Sequence, residues 1–101
     1  MIIGYLVAAS KVEAKKIGKL LVHNRLAACV NLWPIESIYH WEEDLVEDEE
    51  VVVIIKTEKK QIKTIEKLVN KVHSYDVPVL FFWNSEHELA AYRKWAKKEI
   101  K

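Results

Sequence analysis

A mixed α+β fold is predicted for this chain because apolar runs of two different periods alternate along its 101 residues. Short runs rich in Val and Ile are typical of strands, and the segments between them carry apolar residues at helical spacing. The most informative stretch, residues 25–57, has two apolar runs around an acidic middle, which is the pattern of a long hairpin with a charged tip. A chain of this length predicts a single domain spanning residues 1–101.

The first half of the chain predicts a strand, a helix and a second, longer strand. Residues 2–8 are an apolar run, and the S-x-x-E motif that begins at Ser10 is a capping box, which starts a helix. The second strand is expected over residues 26–32 and again over 35–41. A break or bend is expected between these two parts, at Trp33-Pro34, because proline cannot donate to a ladder.

The second half of the chain predicts two more strands and two more helices. A returning strand over residues 45–56 is followed by a helix that Thr57 can cap. The fourth strand is expected over residues 77–83, and a second S-x-x-E motif at Ser85 predicts a C-terminal helix. The order is that of a ferredoxin-like βαββαβ sandwich with an extended hairpin between its second and third strands and an extra C-terminal helix.

Composition and charge exclude several functional classes. The 16 basic and 15 acidic residues leave a net charge of +1, without the basic excess that marks a nucleic-acid-binding domain. No stretch approaches the roughly 18 apolar residues of a membrane span, and no basic region precedes the first strand as in a signal peptide. The single cysteine, Cys29, fits a reducing compartment. The cytoplasm is therefore expected, with neither nucleic acid nor membrane as a partner.

Motifs that carry catalysis are absent from the sequence. It contains no G-x-S-x-G, H-E-x-x-H, P-loop or G-x-G-x-x-G pattern. Cys29 lies in an apolar run, where a free cysteine packs as a small hydrophobic residue and lacks the electropositive surroundings of a nucleophile. We therefore expect a protein that is not an enzyme.

Six short motifs, in order and at matching spacing, resemble the CutA family of small trimeric proteins named for divalent-cation tolerance. The resemblance covers nearly the whole chain and implies the fold derived above. It also implies a homotrimer built like the PII signalling proteins, in which the hairpin edges are closed between chains. The motifs are Arg25 to Asn31, Pro34, Ser37-x-Tyr39-x-Trp41, Glu50 with Ile55-Lys56-Thr57, His73-x-Tyr75-x-x-Pro78, and Tyr92-x-x-Trp95.

The sequence departs from the family's pattern at four places, one of which is Ser74, where a proline is common. Leu6 stands at the position of a first-strand cysteine that is linked to copper in many members, and Ala9-Ser10 replaces a Pro-Asp pair. Glu43 stands where the hairpin turn usually has glycine. A left-handed conformation there would cost a non-glycine residue about 1–2 kcal/mol.

Three side chains are candidate ligands for Cu²⁺ or another divalent cation, although no cofactor is required. His73 matches the family's histidine at the end of the second helix, where a histidine also interacts favourably with the last carbonyls. His40 and Glu42 are two apart on a predicted strand, so both should project from one face and could hold Cu²⁺ or Zn²⁺ with a third ligand. Solvated polar residues near a hairpin tip are the alternative interpretation of this pair.

Aromatic residues and one lysine are expected at a cleft between subunits. Packing at the interface is the alternative role of the aromatic rings, and the lysine is expected to pair with a neighbour such as Glu50. The residues are Trp33, Tyr39, Trp41, Lys56 and Tyr75.

Three functions remain open from the sequence. The first is a homotrimer with a role in divalent-cation tolerance or binding, copper first. The second is a PII-like signalling trimer that binds a small anion or nucleotide at the subunit cleft. The third is a non-enzymatic scaffold that presents its C-terminal helix to an unknown protein partner.

Overall fold

The computed structural model describes residues 1–101 and contains one four-stranded antiparallel sheet with three α-helices. The predicted α+β class and the ferredoxin-like order of elements are confirmed, and the strand order across the sheet is β2-β3-β1-β4. A 3₁₀ turn at Lys59–Gln61 precedes the second helix. The elements are β1 (Ile2–Ala8), α1 (Lys11–His23), β2 (Cys29–Trp41), β3 (Asp44–Thr57), α2 (Ile62–Val72), β4 (Val79–Asn84) and α3 (Ala90–Glu99).

The sheet has two unlike faces because successive side chains of a strand point to opposite sides. Leu6, Val53 and Ile55 lie on the face that packs against α1 and α2, and all three are fully buried in the main hydrophobic cluster with Ile17 and Ile65. α1 approaches this face closely at one helical glycine. A Cβ atom at Gly18 would lie 3.0 Å from a methyl carbon of Val30.

The opposite side of the sheet, here called the open face, is apolar and poorly covered. Tyr5 stacks on Phe81 with their ring centroids 5.0 Å apart, and the Phe81 ring lies 6.0 Å from that of Trp83. Trp33, Phe81 and Trp83 each leave 45–51% of their surface exposed. The open face is defined by Tyr5, Val7, Trp33, Ile35, Val52, Val79, Phe81 and Trp83, which alternate with the core residues in the strand registers.

The predicted cap of α1 is confirmed. The Ser10 hydroxyl oxygen accepts a hydrogen bond from the Glu13 backbone N–H at 3.2 Å, and the Glu13 carboxylate accepts one from the Ala9 N–H at 2.9 Å. Together these bonds satisfy backbone donors at the start of the helix.

The three helices are too short or too polar to span a bilayer.

The other two predicted caps are wrong. Thr57 ends β3, and its buried hydroxyl donates to the Leu26 carbonyl at 2.6 Å, so it ties two segments together and does not cap α2. The Ser85 hydroxyl donates to the Glu88 carboxylate at 2.9 Å, and α3 begins only at Ala90. In both cases the helix begins five residues farther along the chain, at Ile62 and at Ala90, so no helical N–H lies where the predicted cap would bind it.

The second strand differs from its prediction at both its start and its middle. Residues 26–28 are a buried connection, in which the Ala27 N–H donates to the Leu21 carbonyl, and the strand begins at Cys29. It then continues without a break through Pro34, which pairs in register with Val51. Because β2 is an edge strand of the chain, only its β3 side needs ladder hydrogen bonds, and proline is tolerated at such an edge.

β2 and β3 extend beyond the rest of the sheet as a two-stranded arm. β1 ends at Ala8, opposite Val51, so the residues past that point pair only with each other. The part of this segment beyond the Ile35–Glu50 pair, residues 36–49, is here called the hairpin arm, and it contributes to the elongated shape of the chain, whose principal extents are 46 × 26 × 21 Å. Glu36 and Glu49 lie directly opposite each other within it, which is an unfavourable cross-strand pair.

The tip of the hairpin arm is a two-residue turn in left-handed conformation. Glu42 and Glu43 have φ values of 49° and 78°, between the paired residues Trp41 and Asp44. Two positive φ values in a two-residue loop are those of a type I′ turn, which usually contains Asn or Gly. The left-handed conformation expected of Glu43 is confirmed, and Glu42 shares it.

Replacement of Glu43 by glycine is expected to raise the free energy of unfolding by about 1–2 kcal/mol, because glycine adopts a left-handed conformation without the steric cost of a side chain. Urea unfolding followed by tryptophan fluorescence at a fixed chain concentration measures the change. Glu47→Gly is the matched control, since it removes the same side chain from within β3 and should be destabilising. A loss of stability in Glu43→Gly as large as in the control would contradict the strain at the tip.

Candidate ligand groove beside the hairpin arm

An open groove of about 790 Å³ lies on the open face, where the hairpin arm leaves the sheet. Residues of all four strands and of the loop after α2 line it, so it joins parts of the chain that are far apart in sequence. Of the residues predicted for a cleft, Tyr39, Trp41 and Tyr75 are brought together here, and Trp33 and Lys56 are not.

A partly buried tyrosine–carboxylate pair forms one wall of the groove. The Tyr75 hydroxyl donates to Oε2 of Glu50 at 2.5 Å, and only 6% of the Glu50 surface is exposed. Burial and this hydrogen bond raise the pKa of Tyr75 above its usual value. The phenol therefore stays protonated at neutral pH and remains a donor to the buried carboxylate.

A second tyrosine–carboxylate pair lies farther along the arm and is exposed. The Tyr39 hydroxyl donates to Oδ2 of Asp48 at 2.6 Å across the β2–β3 ladder. This hydrogen bond, with some burial and the nearby charges of Asp48 and Glu50, raises the pKa of Tyr39 to about 12. In both pairs the tyrosine hydroxyl therefore donates its hydrogen bond to a carboxylate of the same chain.

His73 holds the loop that carries Tyr75. Its Nε2 atom donates to the Val7 carbonyl at 2.7 Å, and its Nδ1 atom accepts from the Tyr75 backbone N–H at 3.1 Å. The imidazole has no exposed surface and lies against the Tyr75 ring, with centroids 4.8 Å apart. A carbonyl can only accept, so the Nε2 atom carries the proton of the first bond, and the Tyr75 N–H is directed at Nδ1.

Glu13 connects the start of α1 to the same loop. One carboxylate oxygen accepts from the Ala9 N–H and the other from the Ser74 N–H, each at 2.9 Å. Burial acts to raise the pKa of Glu13, but the hydrogen bonds from Ala9 and Ser74 and the nearby His73 outweigh it, and the pKa lies below its usual value. The capping motif in the sequence predicted only the local role of Glu13 at the start of α1. Its hydrogen bond with Ser74 is a tertiary contact, which a local motif does not predict.

The predicted role of His73 as a metal ligand faces a physical obstacle. A metal takes a lone pair from an unprotonated ring nitrogen, and the Nδ1 lone pair already accepts from Tyr75. Binding at His73 would have to break that bond and expose a buried ring. Copper ligation by His73 stays a prediction.

The expectation that His40 and Glu42 project from one strand face is wrong. β2 ends at Trp41, and Glu42 is the first residue of the turn, so strand alternation does not apply to it. Both side chains are exposed. The chain contains no group of three or more His, Cys, Asp or Glu side chains that could hold a metal ion.

Lys56 and Trp33 occupy other parts of the open face. The expected ion pair between Lys56 and Glu50 is wrong, because six residues of strand separate their positions by about 20 Å. Lys56 Nζ lies 3.8 Å from Cys29 Sγ, its cross-strand neighbour, so the setting of this thiol is not purely apolar as expected. Leu6 is fully buried beneath the helices, on the face of the sheet opposite the groove.

Sequence reasoning missed most of the residues that line the groove, among them Tyr5, Asp76 and Glu50, which it had named only as part of a family motif and as a partner of Lys56. Tyr5 lies on β1 and reaches the groove because it shares a face with Val7, and Asp76 lies in the loop after α2. Strand alternation in β1 could have placed Tyr5 on the open face, but only the antiparallel pairing brings it beside β3. No sequence pattern identified Asp76.

Comparison with known proteins identifies one family. A family model described as CutA1 divalent ion tolerance protein matches residues 2–99. The divalent-cation tolerance protein CutA of Thermotoga maritima is 32% identical over 100 residues, which cover 99% of this chain and 99% of that protein.

Solved structures agree with this assignment. The crystal structure of CutA1 from Pyrococcus horikoshii is 33% identical, covers 100% of this chain and 99% of its own, and superposes with a TM-score of 0.96. The periplasmic divalent cation tolerance protein CutA from Archaeoglobus fulgidus is 31% identical, with full coverage of both chains and a TM-score of 0.96. One relative is thus named periplasmic, and the cytoplasmic location expected for this chain stays a prediction.

Removal of the Tyr75 hydroxyl by Tyr75→Phe is expected to lower the free energy of unfolding by about 1–3 kcal/mol, because a buried carboxylate then loses its donor. Tyr39→Phe is the matched control, since it removes the same group from the exposed pair and should change stability little. Urea unfolding of both variants at one chain concentration makes the comparison. Equal losses in the two variants would contradict the importance of burial at Glu50.

Proposed function

We propose that this chain, which belongs to the CutA1 divalent ion tolerance family, is a non-enzymatic homotrimer. Its proposed role is in divalent-cation tolerance, and its proposed location is the cytoplasm. The observation that carries the assembly is the open face, whose large apolar side chains lack a cover within the chain. Exposed apolar patches of this kind commonly mark interaction sites.

The edges and charges of the chain support a homotrimer. β2 and β4 are the outer strands of the sheet, and pairing between chains would satisfy their free edges, as expected for a PII-like arrangement. The hairpin arm is acidic, and α2 with its preceding turn carries the lysines 59, 60, 63, 67 and 71. An arm reaching a neighbouring subunit would place opposite charges within range of each other.

The proposed cation role requires a site completed between chains. Since one chain offers no cluster of three ligating side chains, a second subunit has to supply at least one ligand. His40 and Glu42 are exposed near the tip of the arm, where a neighbour can meet them. We assign copper, as the bound cargo, to this tip in preference to His73, whose ring nitrogens both have backbone partners.

The alternative of a PII-like signalling protein that binds an anion or nucleotide is less well supported. The groove offers the right kind of concavity, but it includes Glu50 and Asp76 and no basic side chain, which disfavours a phosphate or carboxylate ligand. The scaffold alternative needs a protein partner at α3. It predicts stoichiometric capture of that partner by the trimer.

Light scattering of the purified protein is expected to give the mass of three chains, and Trp83→Glu is expected to reduce it, because a charge on the open face opposes burial between subunits. Val12→Glu is the control, since it places the same charge on an exposed apolar position of α1. A single-chain mass for the unmodified protein would contradict the proposed homotrimer. An unchanged trimer in Trp83→Glu would remove the open face from the interface.

Calorimetric titration of Cu²⁺ into the intact protein is expected to show saturable binding that falls about tenfold or more in His40→Ala, through loss of an imidazole ligand. His87→Ala is the matched control, because His87 is also exposed and lies away from the arm. A loss confined to His73→Ala would move the site to His73. Absence of saturable binding by an intact trimer would contradict the copper role.

A further inference from the structure

The near-neutral composition of the chain conceals a separation of charge between its parts. The acidic residues cluster in and beside the hairpin arm, where residues 42–50 contain seven acids and no base. α1 has the opposite balance, with four lysines and a single acid, Glu13. Net charge alone therefore does not describe which partners each surface can bind.

The lysines of α1 lie on its outer face. Lys15 and Lys19 are exposed and four residues apart, so they are neighbours on the helix surface, and Lys16 lies beside them. Lys11 and His23 continue the same row in both directions, to a length of about 18 Å at the rise of an α-helix. The buried residues that fix the opposite side of the helix against the sheet are Ala14, Ile17, Gly18 and Leu21.

The chain supplies little counter-charge for these lysines. None of its ion pairs includes a lysine, and Glu13 already accepts two backbone hydrogen bonds. Lys11 lines a hollow together with Glu36 and Glu49 of the arm, so its charge is partly balanced. The other three lysines of the row have only each other as charged neighbours on the helix. Like charges at this spacing destabilise a helix, and an anion bound from outside the chain would relieve their repulsion.

We propose that the outer face of α1 binds the anionic headgroups of a phospholipid bilayer as a peripheral contact. Clusters of about four or more lysines on a helix are attracted to anionic lipids, and each lysine near the surface strengthens binding about fivefold. Val12 and Val22 are exposed beside the lysines and offer apolar contact with the membrane interface. Such a contact requires no membrane-spanning helix.

Other anionic partners fit this face less well. α1 contains no Phe, Tyr or Trp ring on which a nucleic-acid base could stack, and no arginine for bidentate contacts with bases. Its lysines project from one convex helix, which suits an extended anionic surface better than a small anion, since small ligands bind in concave sites. An acidic segment of another protein is the competing occupant, and the test includes it.

The proposed homotrimer leaves this face free. α1 and α2 pack on the side of the sheet opposite the open face, so burial of the open face between subunits does not cover them. The arm of a neighbour is proposed to meet the lysines before and within α2, and not those of α1. Lipid binding therefore goes beyond the proposed function and requires no bound copper.

Sedimentation with vesicles tests the proposal on the full chain at neutral pH and low salt. One set of vesicles contains phosphatidylcholine alone, and the other contains phosphatidylcholine and phosphatidylserine in equal parts. Binding is expected only to the anionic vesicles. Its affinity should fall about tenfold or more when the salt is raised to about 0.5 M, because screening shortens the range of the surface charges. Light scattering gives the mass of the protein in each buffer.

Variants that neutralise lysines locate the contact. Lys15→Gln combined with Lys19→Gln is expected to weaken binding to the anionic vesicles about twentyfold, because two charges leave the row. Lys97→Gln combined with Lys98→Gln is the matched control, since it removes the same charge from exposed positions of α3 and should change binding little. Glutamine has nearly the helix propensity of lysine, so both double variants should fold.

Several results would overturn the proposal. These are equal binding to the two kinds of vesicle, equal weakening in the two double variants, or displacement from the vesicles by polyglutamate at an equal concentration of charge. The last result would assign the face to an acidic protein. A change of mass in the α1 variant alone would show that a neighbouring subunit contacts these lysines. Absence of any vesicle binding would contradict the lipid contact and leave the proposed cation role unchanged.

Discussion

The long ladder between β2 and β3 is the interaction on which the rest of the structure depends. The lower part of β3, from Val51 to Thr57, pairs with β1 and β2 at once and forms the centre of the sheet. Its upper part has only β2 as a partner and leaves the sheet as the hairpin arm. Glu50 is the first residue past the end of β1, so the groove lies where a three-strand region becomes a two-strand region.

The loop after α2 carries the polar contacts that complete this junction. His73 binds the backbone of β1, Glu13 binds the backbone of the loop from α1, and Tyr75 reaches Glu50 on β3. Three elements are thus joined at this junction, and two of the groups involved, the His73 ring and the Glu50 carboxylate, are buried, where an unpaired partner is costly. A histidine that resembles a ligand in the sequence acts here as a structural link, and this role competes directly with metal binding.

Strand and helix periods in the sequence were sufficient to predict the order of elements, since each element contains an apolar run of its own period, although residues 26–28 of one run form a connection. Local capping motifs were less informative. The S-x-x-E motif caps α1 at Ser10, but at Ser85 the serine and glutamate side chains bond to each other. A motif of four residues does not specify which of these pairings the surrounding chain allows. The strand register determines that Lys56 lies beside Cys29. The proximity of Tyr5, Tyr39 and Tyr75 in the groove depends on tertiary structure.

The left-handed turn at Glu42 and Glu43 also constrains how the arm can change in length. The turn fixes which residues of β2 and β3 face each other, and a shift of one residue would move every side chain of that strand to the other face. A single residue inserted into or deleted from β2 before Tyr39 would therefore turn Tyr39 and Trp41 away from the groove. A matched pair added at the tip, with one residue after Trp41 and one before Asp44, preserves both the pairing and the faces of the residues before it. The arm should vary among related sequences in steps of two residues, as a matched pair of insertions or deletions.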